Sequence, residues 1–244
     1  IRWVSEKDSG PDEAFRKGLA IARGEYVMLG CISDGYLDRN WFKKCTDVLD
    51  SRPEISLVWG LPQYMSEEGA LGRVAYDHFF DAPPPQGMDF IYYWLKTHFF
   101  FPEGNFCVRK NVMEKCFPVF DPKKPVESSG FLDFNYHFNT SGYLPHFIPV
   151  VANYGRIHLD AGGQQQLANG RMEVWIRRYC QDVEAYAKQL VQGRIVHQYR
   201  DGAGRALPGE FDAARFRDIR IKGPVLGRSR CGRIVDRFKA VLSS

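Results

Sequence analysis

The carboxylate of Asp34 falls where an open α/β sheet forms its ligand sites, directly beyond the carboxyl end of a buried strand. The run from Glu25 to Gly30 is short and mostly apolar and follows a glycine, which predicts that strand. Ser33-Asp34-Gly35-Tyr36 comes next, and a carboxylate here could hold a metal ion or a ribose hydroxyl. The alternative is that Asp34 only caps a turn before the next helix.

The stretch before this strand predicts a polar loop and a helix, which together would position the Asp34 tip. Pro11 suits a first helical turn because its missing N–H would be unsatisfied there. Asp12 and Glu13 place negative charge at the positive end of the helix dipole. Apolar or small side chains recur on one helical face, at Ala14, Phe15, Gly18, Leu19 and Ala22. Gly24 then ends the helix.

The same stretch resembles the family 2 glycosyltransferases. Their pattern joins S-E-x-D-x-G-x-x-D-A-x-N-K-G-L, a short A-x-G-E-Y strand and an acidic S-D-D motif. The matching residues are Ser5, Glu6, Asp8, Gly10, Ala14, Lys17, Gly18, Leu19, Ala22, Gly24, Glu25, Tyr26, Ser33, Asp34 and Leu37. Two departures from the pattern matter for function. Arg16 stands where the family has Asn, and Gly35 stands where it has the second Asp of the acidic pair.

For the fold, the resemblance implies an α/β domain of the GT-A type. Such a domain is a Rossmann-related, mixed and mostly parallel sheet flanked by helices. It would cover residues 1–165, and residues 166–244 would form a helical C-terminal extension with a basic tail. Relatives carry a nucleotide-binding strand and helix upstream of the point where this sequence begins. We therefore expect the domain to be N-terminally truncated.

The implied activity is that of an inverting glycosyltransferase. Such an enzyme moves a sugar from a nucleotide-diphosphate donor to a hydroxyl of a glycan or lipid-linked acceptor, as in cell-wall or polysaccharide biosynthesis. Leu132-Asp133-Phe134 matches a second acidic motif and puts Asp133 on the position of the general base, which takes the acceptor proton. Glu127 is the second candidate for this role. The alternative for Asp133 is a helix N-cap.

The resemblance also implies residues that bind donor and acceptor. Asp8 would line the donor loop, and Glu103 would approach the acceptor, although a loop carboxylate could equally be solvated. The segment Tyr143 to Ile157 predicts an edge strand because prolines interrupt it. It ends in an R-x-H pattern, in which Arg156 would offset phosphate charge and His158 would reach the metal or the diphosphate. A lone histidine could also be an ordinary surface or core residue.

The implied cofactor is a divalent metal ion, Mn²⁺ or Mg²⁺, with Asp34 and His158 as ligands. In relatives the second carboxylate of the acidic motif often holds this ion under the diphosphate. Gly35 removes that ligand, so metal dependence does not follow from the resemblance. The same departure favours a different class of function, namely a catalytically inactive module that binds sugar or nucleotide, or an enzyme fragment.

Length and composition are those of a globular protein with one sizeable core. The sequence has 244 residues, 44% of them hydrophobic, and no apolar run long enough for a membrane span. Its six cysteines lie at 31, 45, 107, 116, 180 and 231, without zinc-type spacing. We expect them to be reduced and partly buried, which favours the cytoplasm.

Positive charge is concentrated at the C-terminal end, where basic side chains outnumber acidic ones from Arg205 onward. The segment Ser229 to Leu242 predicts an amphipathic helix with a basic face. This helix could dock on the domain, or it could lie peripherally on the anionic inner face of a membrane, where lipid-linked acceptors are found. No known nucleic-acid-binding motif accompanies the charge, so we expect no nucleic-acid partner.

Overall fold

A computed structural model describes residues 4–30, 34–118, 129–157 and 168–219 as a mixed α/β fold in which one mixed sheet is flanked by helices. The described helices are α1 (Pro11–Ile21), α2 (Trp41–Ser51), α3 (Phe90–Thr97), α4 (Lys110–Cys116), α5 (Gly130–Thr140), α6 (Arg171–Val191) and α7 (Ala213–Asp218). The described strands are β1 (Tyr26–Met28), β2 (Gly35–Tyr36), β3 (Ile55–Met65), β4 (Leu71–Val74), β5 (Cys107–Arg109) and β6 (Leu144–Arg156). The predicted helix at Pro11 and the strand after Gly24 are both confirmed.

The sheet is built on the long central pair of β3 and β6. The strands follow one another in the order β1-β5-β3-β6-β2, and β4 pairs with β3 beside this row. β3 and β6 are parallel, whereas the other pairings between the described strands are antiparallel. The prediction of a mostly parallel sheet is therefore wrong. β4 returns from β3 through a tight hairpin, which only antiparallel neighbours allow, and just one long crossover produces a parallel pair.

β6 is an interior strand over its second half, so the prediction of an edge strand is wrong for that half. β3 pairs along its whole length, and β2 joins its other side at Asn153 and Tyr154. Pro145 and Pro149 lie in the half of β6 that β2 does not reach, where a missing N–H leaves no ladder bond unmade. In this half the Phe147 N–H donates instead to the Gln86 side chain at 2.9 Å.

The core lies between the sheet and its helices and is dominated by aromatic rings. Trp59 on β3 is fully buried at its centre. The ring centroids of four phenylalanines lie 4.5–5.8 Å from the Trp59 ring, namely those of Phe79, Phe99, Phe101 and Phe147. Burying rings of this size is among the largest single contributions to a core.

Four of the six cysteines lie in the described part of the chain, where they are free thiols and buried: Cys45, Cys107, Cys116 and Cys180. Cys31 and Cys231 lie outside the described residues. The expectation of reduced, buried thiols is thus confirmed for the described four.

The long helix α6 is attached to the core by a buried hydrogen-bond chain. The indole Nε1 of Trp94 on α3 donates to the Tyr179 hydroxyl at 2.7 Å, and this hydroxyl donates to the Phe99 carbonyl at 2.8 Å. Burial raises the pKa of Tyr179 far above its usual range, so the phenol stays neutral. A buried hydroxyl with both a donor and an acceptor incurs no desolvation penalty for an unmade bond.

Beyond α6 the chain returns to the turn that joins α5 to β6. The Arg200 N–H donates to the Gly142 carbonyl at 2.8 Å, and Gly142 adopts a left-handed φ of 81°. A Cβ on Gly142 would overlap the carbonyl oxygen of Gln198. The segment around Gln198 can therefore approach this closely only because residue 142 has no side chain.

The short helix α7 is clamped onto α3. The Arg215 guanidinium makes two 2.7 Å hydrogen bonds to the Asp89 carboxylate and lies 4.7 Å from the centre of the Tyr92 ring. The Asp212 N–H donates to the Tyr92 hydroxyl at 2.9 Å, and Phe211 stacks on the same ring. The predicted amphipathic helix from Ser229 to Leu242 lies outside the described residues. Within the described ranges, no helix combines the length and apolarity that crossing a membrane requires.

Candidate active site

Asp34 lies where the central strands β3 and β6 end. Its Oδ1 accepts a hydrogen bond from the N–H of Arg156, the last residue of β6, at 3.2 Å. Its two carboxylate oxygens lie 3.7 and 3.9 Å from the positions that Cβ atoms on Gly104 and Gly155 would take. Asp34 is thus held between the end of β6 and the loop before β5.

Glu103, in that same loop, has the most strongly raised carboxyl pKa at this end of the sheet. Loss of hydration raises it most, and the carboxylates of Asp12 and Asp34 raise it further, to about 7. The side chain nevertheless remains exposed. Glu103 therefore lies near both carboxylates while its side chain keeps contact with water.

Asp12 connects α1 to the first turn of α5. Its Oδ2 accepts a hydrogen bond from the N–H of Gly130, the first residue of α5, at 3.0 Å. Burial raises the pKa of Asp12, the Gly130 N–H lowers it, and the carboxylate of Asp133 raises it again. Asp133 is therefore close enough to Asp12 for the two charges to repel each other.

Asp133 lies inside α5, so the N-cap alternative for this residue is wrong. The N-cap position belongs to Ser129, whose carbonyl accepts the Asp133 N–H at 3.0 Å. A residue at the fourth position of a helix presents its side chain from the first turn instead of closing the helix end. The Asp133 carboxylate therefore projects from the first turn of α5 on the side of Asp12, whose pKa it raises.

Four carboxylates from separate elements thus form a continuous series, which we call the acidic cleft: Asp12, Asp34, Glu103 and Asp133. The charges of Asp34 and Asp12 each raise the pKa of Glu103. The charge of Asp133 raises the pKa of Asp12. The raised pKa values of Asp12 and Glu103 mean that these two groups bind a proton more readily than an isolated carboxylate does. The cleft can therefore accept a proton from a bound hydroxyl, donate one, or neutralise a cation.

Two buried asparagines fix the loop that carries Glu103. The Asn105 Oδ1 accepts the N–H of Gly60 on β3 at 2.7 Å, and its Nδ2 donates to Asn153 Oδ1 on β6 at 2.9 Å. Both asparagines are buried, so each hydrogen bond avoids a substantial desolvation cost. The loop is thereby tied to both central strands, which holds Glu103 beside Asp34.

Among the described residues, no side-chain contact places the remaining predicted site residues in the acidic cleft, although the Arg156 backbone N–H bonds Asp34. Asp8 lies in the exposed turn before α1, where its Oδ1 accepts the Gly10 N–H at 3.0 Å. The Arg156 guanidinium is directed towards β3, and its Nη2 lies 3.6 Å from the Met65 sulfur. His158 and Glu127 lie outside the described residues.

Asp12 is the functional residue that sequence reasoning missed. At the second position of a helix, a carboxylate is fully explained by the helix dipole. Nothing in its spacing indicates the contact with Gly130, more than a hundred residues later. Only a contact prediction between α1 and α5 could have found it.

The described residues fit a divalent metal ion only in part. Within the described ranges, no group of three His, Cys, Asp or Glu side chains is arranged to hold one. Mg²⁺ at a diphosphate site is commonly held by one or two carboxylates together with the phosphates of the ligand. Asp34 supplies one such carboxylate at the strand ends, so a metal ion here would need a phosphate-bearing ligand to complete its coordination.

The raised pKa of Glu103 predicts a pH-dependent stability difference for Glu103→Gln. Because the folded-state pKa is about 7 and the unfolded value about 4.5, the wild-type protein loses stability as the pH rises through this window. Thermal unfolding should therefore show the variant melting above the wild type at pH 8 and level with it at pH 4.5. Solvent contact keeps the gain small.

The control for this prediction is Glu67→Gln, in the exposed turn between β3 and β4. This variant removes the same charge from an exposed position, and its melting is compared with that of the wild type at both pH values. A pH-independent difference for Glu103→Gln would contradict the electrostatic account of the acidic cleft.

Comparison with the models of known protein families gives no match, and comparison with curated proteins gives none either. The function is therefore inferred from the acidic cleft and from the motifs in the sequence.

Proposed function

We propose that this protein is an inverting glycosyltransferase of the GT-A type, which moves a sugar from a nucleotide-diphosphate donor to a hydroxyl of a glycan or lipid-linked acceptor. The observation that carries the proposal is the acidic cleft. It links Asp34 and Asp133, which the two family-like motifs single out, through the carboxylates of Glu103 and Asp12. Two acids that are far apart in sequence would have no structural reason to share a cleft, since their repulsion costs stability.

In this reaction Asp133 is the base. The acceptor hydroxyl oxygen attacks the anomeric carbon while its proton passes to an Asp133 carboxylate oxygen. The bond from the anomeric carbon to the diphosphate oxygen breaks with its electron pair, and the nucleoside diphosphate leaves from the opposite face. Attack on the face opposite the departing oxygen inverts the configuration of the sugar.

Asp34 and Arg156 serve the donor side. The Arg156 N–H positions Asp34 at the strand end, where Asp34 binds a ribose hydroxyl or contributes to a divalent metal site. A bound Mg²⁺ or Mn²⁺ would neutralise the charge that develops on the leaving diphosphate. The guanidinium of Arg156 offsets part of the same charge.

Glu103 serves the acceptor. With a pKa of about 7, its carboxyl group carries a proton for a substantial fraction of the time near neutral pH. A protonated carboxyl donates a hydrogen bond, whereas a carboxylate only accepts one. Glu103 can therefore bind either the oxygen or the proton of a sugar hydroxyl at the mouth of the cleft.

The test is donor turnover with and without metal. UDP-glucose, UDP-N-acetylglucosamine and GDP-mannose are incubated with the protein in Mn²⁺ and in EDTA, and release of nucleoside diphosphate is measured. Slow hydrolysis of one donor, lost in Asp34→Ala, supports the enzyme. Binding of a donor by calorimetry without any release in either condition would instead identify a catalytically inactive binding module.

A further inference from the structure

Gly35 and Tyr154 form a cross-strand pair between β2 and β6 in which the tyrosine ring covers the glycine. A Cβ on Gly35 would lie 2.6 Å from the Tyr154 hydroxyl oxygen and 2.7 Å from its Cε1 and Cζ atoms. These separations are too short for any real side chain. Residue 35 must therefore be glycine as long as the ring lies there, and the phenolic oxygen occupies the space where a side chain at 35 would begin.

Arg156 lies two residues beyond Tyr154 on the same strand. The pairing of β3 with β6 is regular from Pro62 to Met65, so alternation places both side chains on one face of the sheet. The guanidinium contacts the Met65 sulfur, which is a weak acceptor, and its Nε is buried without a hydrogen-bond partner in the described part of the chain. A buried guanidinium nitrogen without an acceptor is costly, so an anion that reaches this group after a small shift of the side chain would stabilise it.

The chemistry of this pair differs from that of an acidic strand tip. A carboxylate at position 35 would repel a phosphate and would need a cation between them. A phenol and a guanidinium are both hydrogen-bond donors, so they can bind phosphate oxygens directly.

We propose that Tyr154 and Arg156 form a phosphate contact that binds the donor diphosphate without a metal ion, and that Gly35 is the residue that admits the Tyr154 ring. This inference rests on the proposed function for the identity of the ligand. It adds Tyr154 to the site. It also explains Gly35, which makes room for the Tyr154 ring where the family pattern has a metal-binding Asp.

The contact lies at the same end of the sheet as the acidic cleft. The Arg156 N–H bonds the Asp34 carboxylate while the Arg156 side chain faces the other way, so one residue borders both groups. A diphosphate bound across the strand ends would meet the hydrogen-bond donors Tyr154 and Arg156 on one face of the sheet. It would meet the carboxylates of the acidic cleft on the other face. A metal ion, where one binds, would belong to the carboxylate face.

The experiment measures binding of inorganic pyrophosphate by isothermal titration calorimetry, in EDTA and in Mg²⁺. Pyrophosphate contains the proposed ligand group and does not depend on the identity of the base or sugar. The wild-type protein should bind it in EDTA. Tyr154→Phe keeps the ring over Gly35 and removes the hydroxyl, and it should weaken binding about tenfold. Arg156→Gln should weaken it about 10–100-fold.

The matched control is Tyr64→Phe. Tyr64 lies on β3 opposite Gly155, so its side chain is on the other face of the sheet. Its loss of a hydroxyl should leave pyrophosphate binding unchanged. Gly35→Ala should reproduce the loss seen in Tyr154→Phe, because the new Cβ displaces the ring. Thermal unfolding checks that each variant is folded.

Three results would overturn the inference: no binding of pyrophosphate in either condition, binding only in Mg²⁺, or binding that Tyr154→Phe does not change. These outcomes can be distinguished from a failure of the proposed enzymatic function. Metal-dependent sugar transfer with an inert Tyr154→Phe would preserve the enzyme and remove this contact. Tyr154-dependent binding in EDTA without turnover of any nucleotide sugar would preserve the contact and remove the enzyme.

Discussion

Replacing Asp133 with asparagine should reduce the rate of sugar transfer by about 10²–10⁴-fold, the usual contribution of a positioned general base. Asparagine matches aspartate in size but cannot accept the acceptor proton. Donor binding should persist, because Asp34 and Arg156 lie at the strand ends and not on α5. The rate is measured at saturating donor, and donor affinity by calorimetry.

The fold of Asp133→Asn should be intact or slightly stabilised, since the substitution removes a charge that raises the pKa of Asp12. Asp47→Asn provides the matched control, because Asp47 is an exposed helix carboxylate paired with Lys43. Its activity should equal that of the wild type. Full activity in Asp133→Asn would reject Asp133 as the base and move attention to Glu127.

Replacing Gly142 with alanine should lower the free energy of unfolding by about 3–5 kcal/mol. Two costs combine at this position. The residue has a left-handed φ of 81°, which strains any L-side chain, and its Cβ would overlap the Gln198 carbonyl oxygen. The segment at Gln198 must then move, which breaks the Arg200 hydrogen bond to Gly142. Urea unfolding measures the change.

Gly193→Ala separates the two costs. Gly193 has a similar φ of 64°, but nothing lies within 4 Å of its Cβ position. The control should therefore lose only about 1–2 kcal/mol, the cost of left-handed backbone alone. Equal losses in the two variants would show that the Gln198 segment adjusts freely and does not brace the turn.

Local elements were predictable because their causes are local. Pro11 and the helical spacing through Ala22 identified α1, and the short apolar run after Gly24 identified β1. Caps, turns and periodicity act over a few residues, so the sequence displays them directly.

Strand directions were less predictable, since they depend on which distant segments pair. Pro145 and Pro149 suggested an edge strand, yet β6 is interior over its second half only. The rule that proline indicates an edge position holds locally, because both prolines lie where β2 is absent. It does not hold for the whole strand, since the second half of β6 has a neighbour on each side.

The acidic cleft was foreseen only where a motif marked it. Asp34 and Asp133 each fall in a recognisable pattern, whereas Asp12 has a complete local explanation in the helix dipole. The covering of Gly35 by Tyr154 depends on the register of β2 against β6, which nothing adjacent in sequence specifies. Such pairings become visible only when the chain is folded.

Both ends of α5 are fixed by distant parts of the chain. Asp12 holds Gly130 at one end, and the segment at Gln198 and Arg200 abuts Gly142 at the other. Substitutions at residues 197–200 should therefore change the tilt of α5 and, with it, the position of Asp133. In the proposed enzyme they would lower turnover without altering any residue of the acidic cleft.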